Sequence, residues 1–222
     1  MNRLNHIAFI MDGNGRWGKN KKKGRNFGHL HGVNTVKKIV TASIKLNIPI
    51  LTFYVFSTEN WKRPKKEILF LFRLITKYFS SEIENIIKQN IKINILGEIN
   101  KLPNNVKSVL RKTVSLTKKN KSIIVNLAIN YGSQNEIIRA FKKTKNNFSY
   151  KNIQKNLYTQ SMPNPDILIR TGGHKRLSNF MLWQLAYTEL FFLNKLWPDF
   201  STEDLNKIIK KYKKCKRNFG GV

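Results

Sequence analysis

The run His6-Ile7-Ala8-Phe9-Ile10-Met11, followed at once by Asp12-Gly13-Asn14-Gly15-Arg16-Trp17, decides the reading of this chain. Residues His6 to Met11 are mostly apolar and read as a buried strand. The strand ends in a carboxylate, two glycines and an arginine, which brings backbone and charge close to a ligand. Glycine supplies positive φ and lets main chain approach without a Cβ. If a helix follows, its free N–H groups favour phosphate. Gly13 to Asn20 reads G-x-x-x-x-G-K-N, one residue away from a nucleotide-binding P-loop. That motif needs Ser or Thr where Asn20 stands. It also needs a later strand ending in Asp, whereas the later apolar runs end near Ser57, Gly97, Asn130, Arg170 and Asn194. A nucleotide triphosphatase is therefore disfavoured, and a phosphate-handling turn remains.

Downstream, Phe27 to Leu46 reads as a helix, with Leu30, Val33, Val36, Val40 and Ile44 at spacings of three and four. Pro49 breaks it, and Ile50 to Phe56 is a second buried strand. Strand, helix, strand is a βαβ unit with a right-handed crossover. The second strand runs into Ser57-Thr58-Glu59-Asn60-Trp61-Lys62-Arg63-Pro64, so two polar loops should face one another beyond the carboxyl ends of the strands. Lys65 to Gln89 is a long helix whose wide apolar stripe is core packing or the wall of an apolar channel. Strands at Ile91–Gly97 and Ile123–Ile129 flank a surface helix at Asn104–Lys119. Ser133 is expected to cap a helix from Gln134 to Lys143, and Ser149 a further short one. Asp166 to Ile169 is a fifth strand, a helix spans Asn179 to Tyr187, and Glu189 to Leu193 is a sixth strand. Ser201 caps a last helix reaching about Cys215. The prediction is one α/β domain over residues 1–222, a six-stranded, mainly parallel sheet flanked by helices.

The net charge of +30 suggests nucleic acid or an acidic membrane surface. Yet Lys outnumbers Arg by 32 to 10, whereas base readout favours Arg. Phe and Tyr sit mostly in apolar runs rather than interleaved with basic residues, so a nucleic-acid partner is not expected. The lysines, spread over most helices, read as solvated faces shaped by A/T-rich codons, or as attraction to anionic lipid headgroups. Lys21-Lys22-Lys23 beside the phosphate turn could concentrate an anionic substrate. The single cysteine, Cys215, excludes an intramolecular disulfide and fits a reducing cytoplasm. No apolar run reaches the ~18 residues of a membrane span, and no signal peptide is expected.

Two anion sites emerge. The first is Asp12 to Arg16 with Arg25 and His29; the second is Arg170, Arg176 and Ser178, in the run Arg170-Thr171-Gly172-Gly173 onward. Guanidinium forks and backbone N–H groups suit diphosphates. Mg²⁺ usually takes one or two carboxylates plus phosphate oxygens, which makes Asp12 the expected ligand. Glu189 is the second candidate, its alternative being a solvent-facing charge at a strand end. Two diphosphate sites, a metal and an apolar helix describe a substrate with a charged head and a hydrocarbon tail.

The blocks His6-x5-Asp12-Gly13-Asn14-Gly15-Arg16-Trp17, Phe53-Tyr54-x-Phe56-Ser57-x-Glu59-Asn60-Trp61-x-Arg63-Pro64, Asn130-Tyr131-Gly132, Arg170-Thr171-Gly172-Gly173-x-x-Arg176-x-Ser178-Asn179-Phe180 and Trp197-Pro198-Asp199-Phe200 carry a family resemblance, down to the closing Phe219-Gly220-Gly221. In this order they resemble the cis-prenyltransferases, most nearly the bacterial undecaprenyl diphosphate synthase type. The resemblance implies a homodimer with an apolar tunnel for the growing chain. It implies addition of isopentenyl diphosphate to an allylic diphosphate, usually farnesyl diphosphate, making a long cis-polyprenyl diphosphate for cell-wall synthesis. By matching positions, Asp12 with Mg²⁺ would help the allylic diphosphate leave, and Gly13, Asn14, Gly15, Arg16, Arg25 and His29 would hold it. Arg170, Arg176 and Ser178, with Leu177, would hold the isopentenyl diphosphate. Asn60, with Ser57, would orient or relay the departing proton, since Asn is a poor base. Trp17, Thr58, Glu59, Trp61 and Arg63 would shape the space between, and Glu189 matches a second metal-associated carboxylate.

The chain departs from the family's pattern at His174, where Glu is usual, and at Lys175, where many members place a metal-associated His and where an ammonium cannot ligate Mg²⁺. Ser133-Gln134 stands where Gly-Arg is common, a change read as structural. A shorter product is the alternative within the class, because Val55 stands where long-chain enzymes often carry a smaller residue. Peripheral contact with an anionic inner-membrane face completes the expectations.

Overall fold

The computed structural model describes residues 2–145 and 148–217. Six strands form one sheet: β1 (His6–Ile10), β2 (Ile50–Ser57), β3 (Ile91–Leu96), β4 (Ile123–Tyr131), β5 (Ile167–Arg170) and β6 (Glu189–Phe192). Their order is β3-β4-β2-β1-β5-β6, and every pairing is parallel rather than merely most of them. Seven α-helices accompany them among the described residues: α1 (Asn14–Asn20), α2 (Gly24–Lys45), α3 (Lys65–Lys88), α4 (Asn104–Thr117), α5 (Ser133–Thr144), α6 (Tyr150–Asn156) and α7 (Thr202–Lys214). The chain first builds outward from β1 through β2, then returns to β1's other side with β5. That reversal makes the carboxyl ends of β1 and β5 a topological switch point, where open α/β sheets bind ligands.

The alternation of β1 separates two cores. Ile7 and Phe9 face a large cluster containing Ile39 and Val40 of α2, Phe72 and Phe79 of α3, and Leu205 and Ile208 of α7. Ala8 and Ile10 face a smaller one built from Leu168, Phe180, Met181 and Leu185. On that second face a file of hydrogen bonds crosses four strands. His6 Nδ1–H donates to the Pro163 carbonyl (2.8 Å), and Nε2 accepts from the Thr52 hydroxyl (2.7 Å). Thr52 Oγ1 accepts from Asn126 (3.0 Å), whose own carbonyl accepts from Asn94 (3.1 Å). Every member thus finds a partner in a layer where an unpaired polar group would be costly.

Three predicted elements differ. The phosphate turn is itself the start of a helix: Gly13, at φ +106°, caps α1, which then folds back on α2. This close approach rests on Gly28, where a Cβ would lie 1.8 Å from the Asn14 carbonyl oxygen. The expected helix from Asn179 to Tyr187 is a series of turns. Ser178, Asn179 and Met181 all adopt positive φ, and Asn179 spends its polar groups on neighbours, accepting from the N–H of Ser133 and of Gln134. Tertiary hydrogen bonds there override an apolar pattern suited to a helix. Ser133 does not cap α5; it is the first helical residue, and its hydroxyl accepts from Leu182 N–H (2.8 Å) instead. The caps expected at Ser149 and Ser201 are present, the latter as a capping box with Asp204. Phe219-Gly220-Gly221 lies outside the described residues.

Candidate active site

A cavity of about 660 Å³ opens at the carboxyl ends of β1, β2 and β5. Asp12, His29, Asn60, Arg63, Arg170 and Arg176 line it, so both predicted anion sites and the loop after β2 meet in one space. Asp12 stands at their junction. One carboxylate oxygen accepts from Arg170 (3.1 Å) and the other from Arg16 (3.3 Å), and about a quarter of its side chain remains exposed. Register explains the meeting: Ile10 of β1 pairs with Arg170 of β5, so the residues just past each strand are neighbours.

The first anion site is built by α1 and α2. Arg16 donates to the Gly172 carbonyl (2.6 Å), tying α1 to the loop after β5. Asn14 lines the cavity and donates to the Met11 carbonyl (3.2 Å), while its side-chain carbonyl oxygen is buried against Gly32 without a hydrogen-bond partner. Gly15 packs against the guanidinium of Arg25. Trp17 lies outside the cavity lining, stacked on Phe27 with its indole N–H on Asp199 (2.7 Å), so it braces the α1–α2 elbow. Arg25 is also absent from the cavity wall, and it grips Glu67 with two bonds of 2.9 and 3.0 Å.

The second anion site hangs on Arg170. Only 4% of its side chain is exposed, yet it donates to Ser178 Oγ (2.8 Å), to the Arg176 backbone carbonyl and to Asp12. The Arg176 side chain itself projects into the cavity and is exposed. Leu177 is partly buried against the second core and anchors the loop. His174 lines the cavity, whereas Lys175 is exposed and outside its wall.

Between the two, Asn60 accepts from the Ser57 N–H (3.2 Å) and both residues line the cavity. Glu59 accepts from Asn179 (2.8 Å). Burial works to raise the Glu59 carboxyl, but hydrogen bonds from Asn179 and from nearby hydroxyls and its own backbone outweigh it and hold it below the usual range. Thr58 packs against Gly132, and Trp61 donates to Asn130 (2.8 Å). Tyr54, which the sequence did not single out, lines the cavity and donates to the Tyr131 and Ser178 carbonyls. Burial pushes its phenol well up, so it stays a donor.

Glu189 is not brought to Asp12 within the chain. It pairs in register with Ile167, three residues before Arg170, at the amino end of the sheet, with Arg217 4.0 Å away. A strand rises ~3.3 Å per residue, so about 10 Å of sheet separates it from the switch point. Among the described residues no group of three His, Cys, Asp or Glu side chains is placed to hold a metal. The donor set nevertheless suits Mg²⁺, which keeps several waters and needs only one or two carboxylates beside substrate phosphates. Asp12 is a carboxylate of that kind, partly exposed between Arg16 and Arg170.

The residue that sequence reading missed is Glu67, in the first turn of α3. Only 8% exposed, it receives Arg25, Arg63 (3.2 Å) and His29 (3.3 Å). Burial tends to raise its carboxyl, but Arg25, Arg63 and His29 hold it lower. Arg63 stands in extended backbone before α3, so the pair arises from the path of the loop and helical spacing gave no signal for it.

Two apolar cavities continue inward. One of about 120 Å³ shares Met11, Val55 and Leu71 with the polar cavity and reaches Tyr78 and Phe79. Another of about 170 Å³ begins at Tyr78 and Phe79 and ends near the Lys37–Glu82 ion pair (2.6 Å) that joins α2 to α3. The apolar stripe of α3 therefore faces both the core and these cavities.

Comparison with known proteins agrees with this geometry. The family of undecaprenyl diphosphate synthases matches residues 10–220. An isoprenyl transferase of Clostridium tetani is 44% identical, covering 98% of this chain and 89% of its own. Among solved structures, lavandulyl diphosphate synthase from Lavandula x intermedia, in complex with dimethylallyl diphosphate, superposes with a TM-score of 0.93 at 33% identity, over 97% of this chain and 98% of that one. A probable undecaprenyl diphosphate synthase of Campylobacter jejuni gives 0.85 at 36% identity, over 99% of this chain and all of that one.

Proposed function

This chain belongs to the undecaprenyl diphosphate synthase family of prenyltransferases, and from that premise we propose that it condenses isopentenyl diphosphate with farnesyl diphosphate to build a long cis-polyprenyl diphosphate, a lipid-carrier precursor for the cell wall. The observation that carries the reading is the position of Asp12, touching Arg16 of one anion site and Arg170 of the other.

In this reading the allylic diphosphate lies on the α1 turn, with Arg16, Arg63 and His29 around it, and the isopentenyl diphosphate on Arg170, Arg176 and Ser178. Asp12 would hold Mg²⁺, which supplies charge to neutralise the departing diphosphate. The allylic C–O bond breaks and its electron pair leaves with the diphosphate. The isopentenyl double bond supplies the pair for the new C–C bond. A proton then leaves the isopentenyl carbon, and the new cis double bond forms. Asn60, fixed by the Ser57 N–H, orients that proton's path. The two inner apolar cavities receive the growing tail as a tunnel, with Val55 at the mouth and Tyr78 and Phe79 part-way along.

A homodimer is supported by exposed apolar side chains on and after α5, including Ile138, Phe141, Phe148 and Tyr150. Such a patch commonly marks a protein contact. No helix among the described residues is long and apolar enough to cross a membrane. The lysine-rich surface supports peripheral contact with an anionic inner-membrane face from the cytoplasm.

Asp12→Ala tests the reading. Turnover should fall by ~10²–10³, the scale of losing one key electrostatic group. Near-normal turnover by the purified variant would remove Asp12 from the centre of the chemistry.

A further inference from the structure

We infer that Glu67 is a positioning residue, the buried carboxylate that sets where the cations of the allylic diphosphate site stand; this deepens the prenyltransferase reading and rests on it. Oε1 accepts from Arg63 (3.2 Å) and Arg25 (3.0 Å) and lies 3.3 Å from His29 Nε2, while Oε2 accepts from Arg25 Nε (2.9 Å). Those partners come from different elements. Arg25 and His29 lie one turn apart at the start of α2, and Arg63 closes the loop after β2. Glu67 thus ties three segments together from the first turn of α3.

The arrangement is layered. Arg63 and His29 line the cavity, and Glu67 and Arg25 stand behind them, outside its wall. Arg25 in turn lies against Gly15, where a Cβ would come within 2.7 Å of its Nη1. A continuous line therefore runs from the α1 turn through Arg25 and Glu67 to the two cavity-lining bases. Two guanidiniums converging on one spot without an anion would repel one another and spread. Burial holds the His29 imidazole below its ordinary value, Glu67 opposing this only in part, so the ring joins the group through its contact with Glu67 rather than as a third cation. The Glu67 carboxylate fixes the group before substrate arrives, so less order has to be created on binding.

The sign of the effect separates this role from simple charge. A carboxylate behind an anion site repels the anion, so if charge alone mattered, neutralising Glu67 would tighten diphosphate binding. A positioning role predicts the reverse. The test is steady-state elongation kinetics of the full chain with farnesyl and isopentenyl diphosphates, on Glu67→Gln and Glu67→Asp, with thermal unfolding alongside. Glu67→Gln should raise the KM for farnesyl diphosphate by about tenfold or more, the scale of misplacing a substrate clamp. The KM for isopentenyl diphosphate should stay within about twofold, because that site is held by Arg170 rather than Glu67. Glu67→Asp keeps the charge but shortens the reach, and should raise the farnesyl KM by a smaller factor. It decides the matter if the Gln variant does not fold. A lowered or unchanged farnesyl KM, an equal rise in both KM values, or a normal Asp variant would overturn the inference. Failure of the unmutated chain to elongate would overturn the functional reading itself, which the variants' ratios do not touch.

Discussion

Arg170 and Arg176 show how differently two arginines of one loop work. Arg170 is almost wholly enclosed, and its guanidinium braces the loop through Ser178 and the Arg176 carbonyl while meeting Asp12. Arg176 lends the loop its backbone and leaves its side chain exposed to the cavity. Removing Arg176 should therefore affect capture of one substrate rather than the fold. Arg176→Ala is expected to raise the KM for isopentenyl diphosphate by ~10-fold or more, as loss of a charge-assisted contact of ~1.5–3 kcal/mol would do. Thermal stability should change little. An unchanged KM in initial-rate measurements would show that the second anion site is misassigned. Most residues that line the cavity were legible from the sequence, because charge and glycine cluster where strands end. Glu67 was not, since a lone acid in an amphipathic helix looks like any solvated charge until its partners converge on it. Trp17 stacks on Phe27 across the α1–α2 elbow and Arg25 ties α2 to Glu67 of α3, and both side chains, like that of Arg16, lie outside the cavity wall.

At the scale of elements, strand β1 carries both the chemistry at its end and the polar file at its start. His6 is fully enclosed, and burial, only partly opposed by the Pro163 carbonyl and Asp166, lowers its pKa to about 4. In the unfolded chain it should titrate near the ordinary value of ~6.5. Between those values the unfolded state binds the extra proton, so stability falls as pH drops from ~6.5 toward 4. One proton corresponds to ~1.4 kcal/mol per pH unit, which gives roughly 2–3 kcal/mol by pH 4.5. Urea unfolding of the protein and of His6→Asn should show this as a gap in unfolding free energy that narrows by that amount from pH 7 to 4.5. A gap that stays constant would mean His6 does not titrate with folding. Strands and long helices were legible because their apolar periods are strong. Helix α1 was hidden, since Asn14-Gly15-Arg16-Trp17-Gly18-Lys19-Asn20 has no apolar stripe and is held against α2 by close backbone approach at Gly18 and Gly28 and by the stacking of Trp17 on Phe27. The stretch after Ser178 erred the other way, its apolar residues filling the second core from turns.

For the whole molecule, topology is what turns separate motifs into one site. The glycine-rich turn after β1 and the loop it faces, at the end of β5, lie more than 150 residues apart in the chain. The parallel sheet and its reversal beside β1 make them neighbours, and the face of α3 and α2 provides apolar cavities leading away from both. The six-stranded α/β plan could be read from the alternation of strands and helices. The layering of Arg63 and His29 on Glu67, and the distance of Glu189 from Asp12, could not, because both depend on how loops from different strands pack. The most direct test of the whole account is incubation of the purified chain with farnesyl diphosphate, labelled isopentenyl diphosphate and Mg²⁺, with product length read by chromatography. A ladder of labelled products extended by successive five-carbon units, lost on chelation of the metal, is the predicted result. No extension of farnesyl diphosphate or of any shorter allylic diphosphate would contradict it.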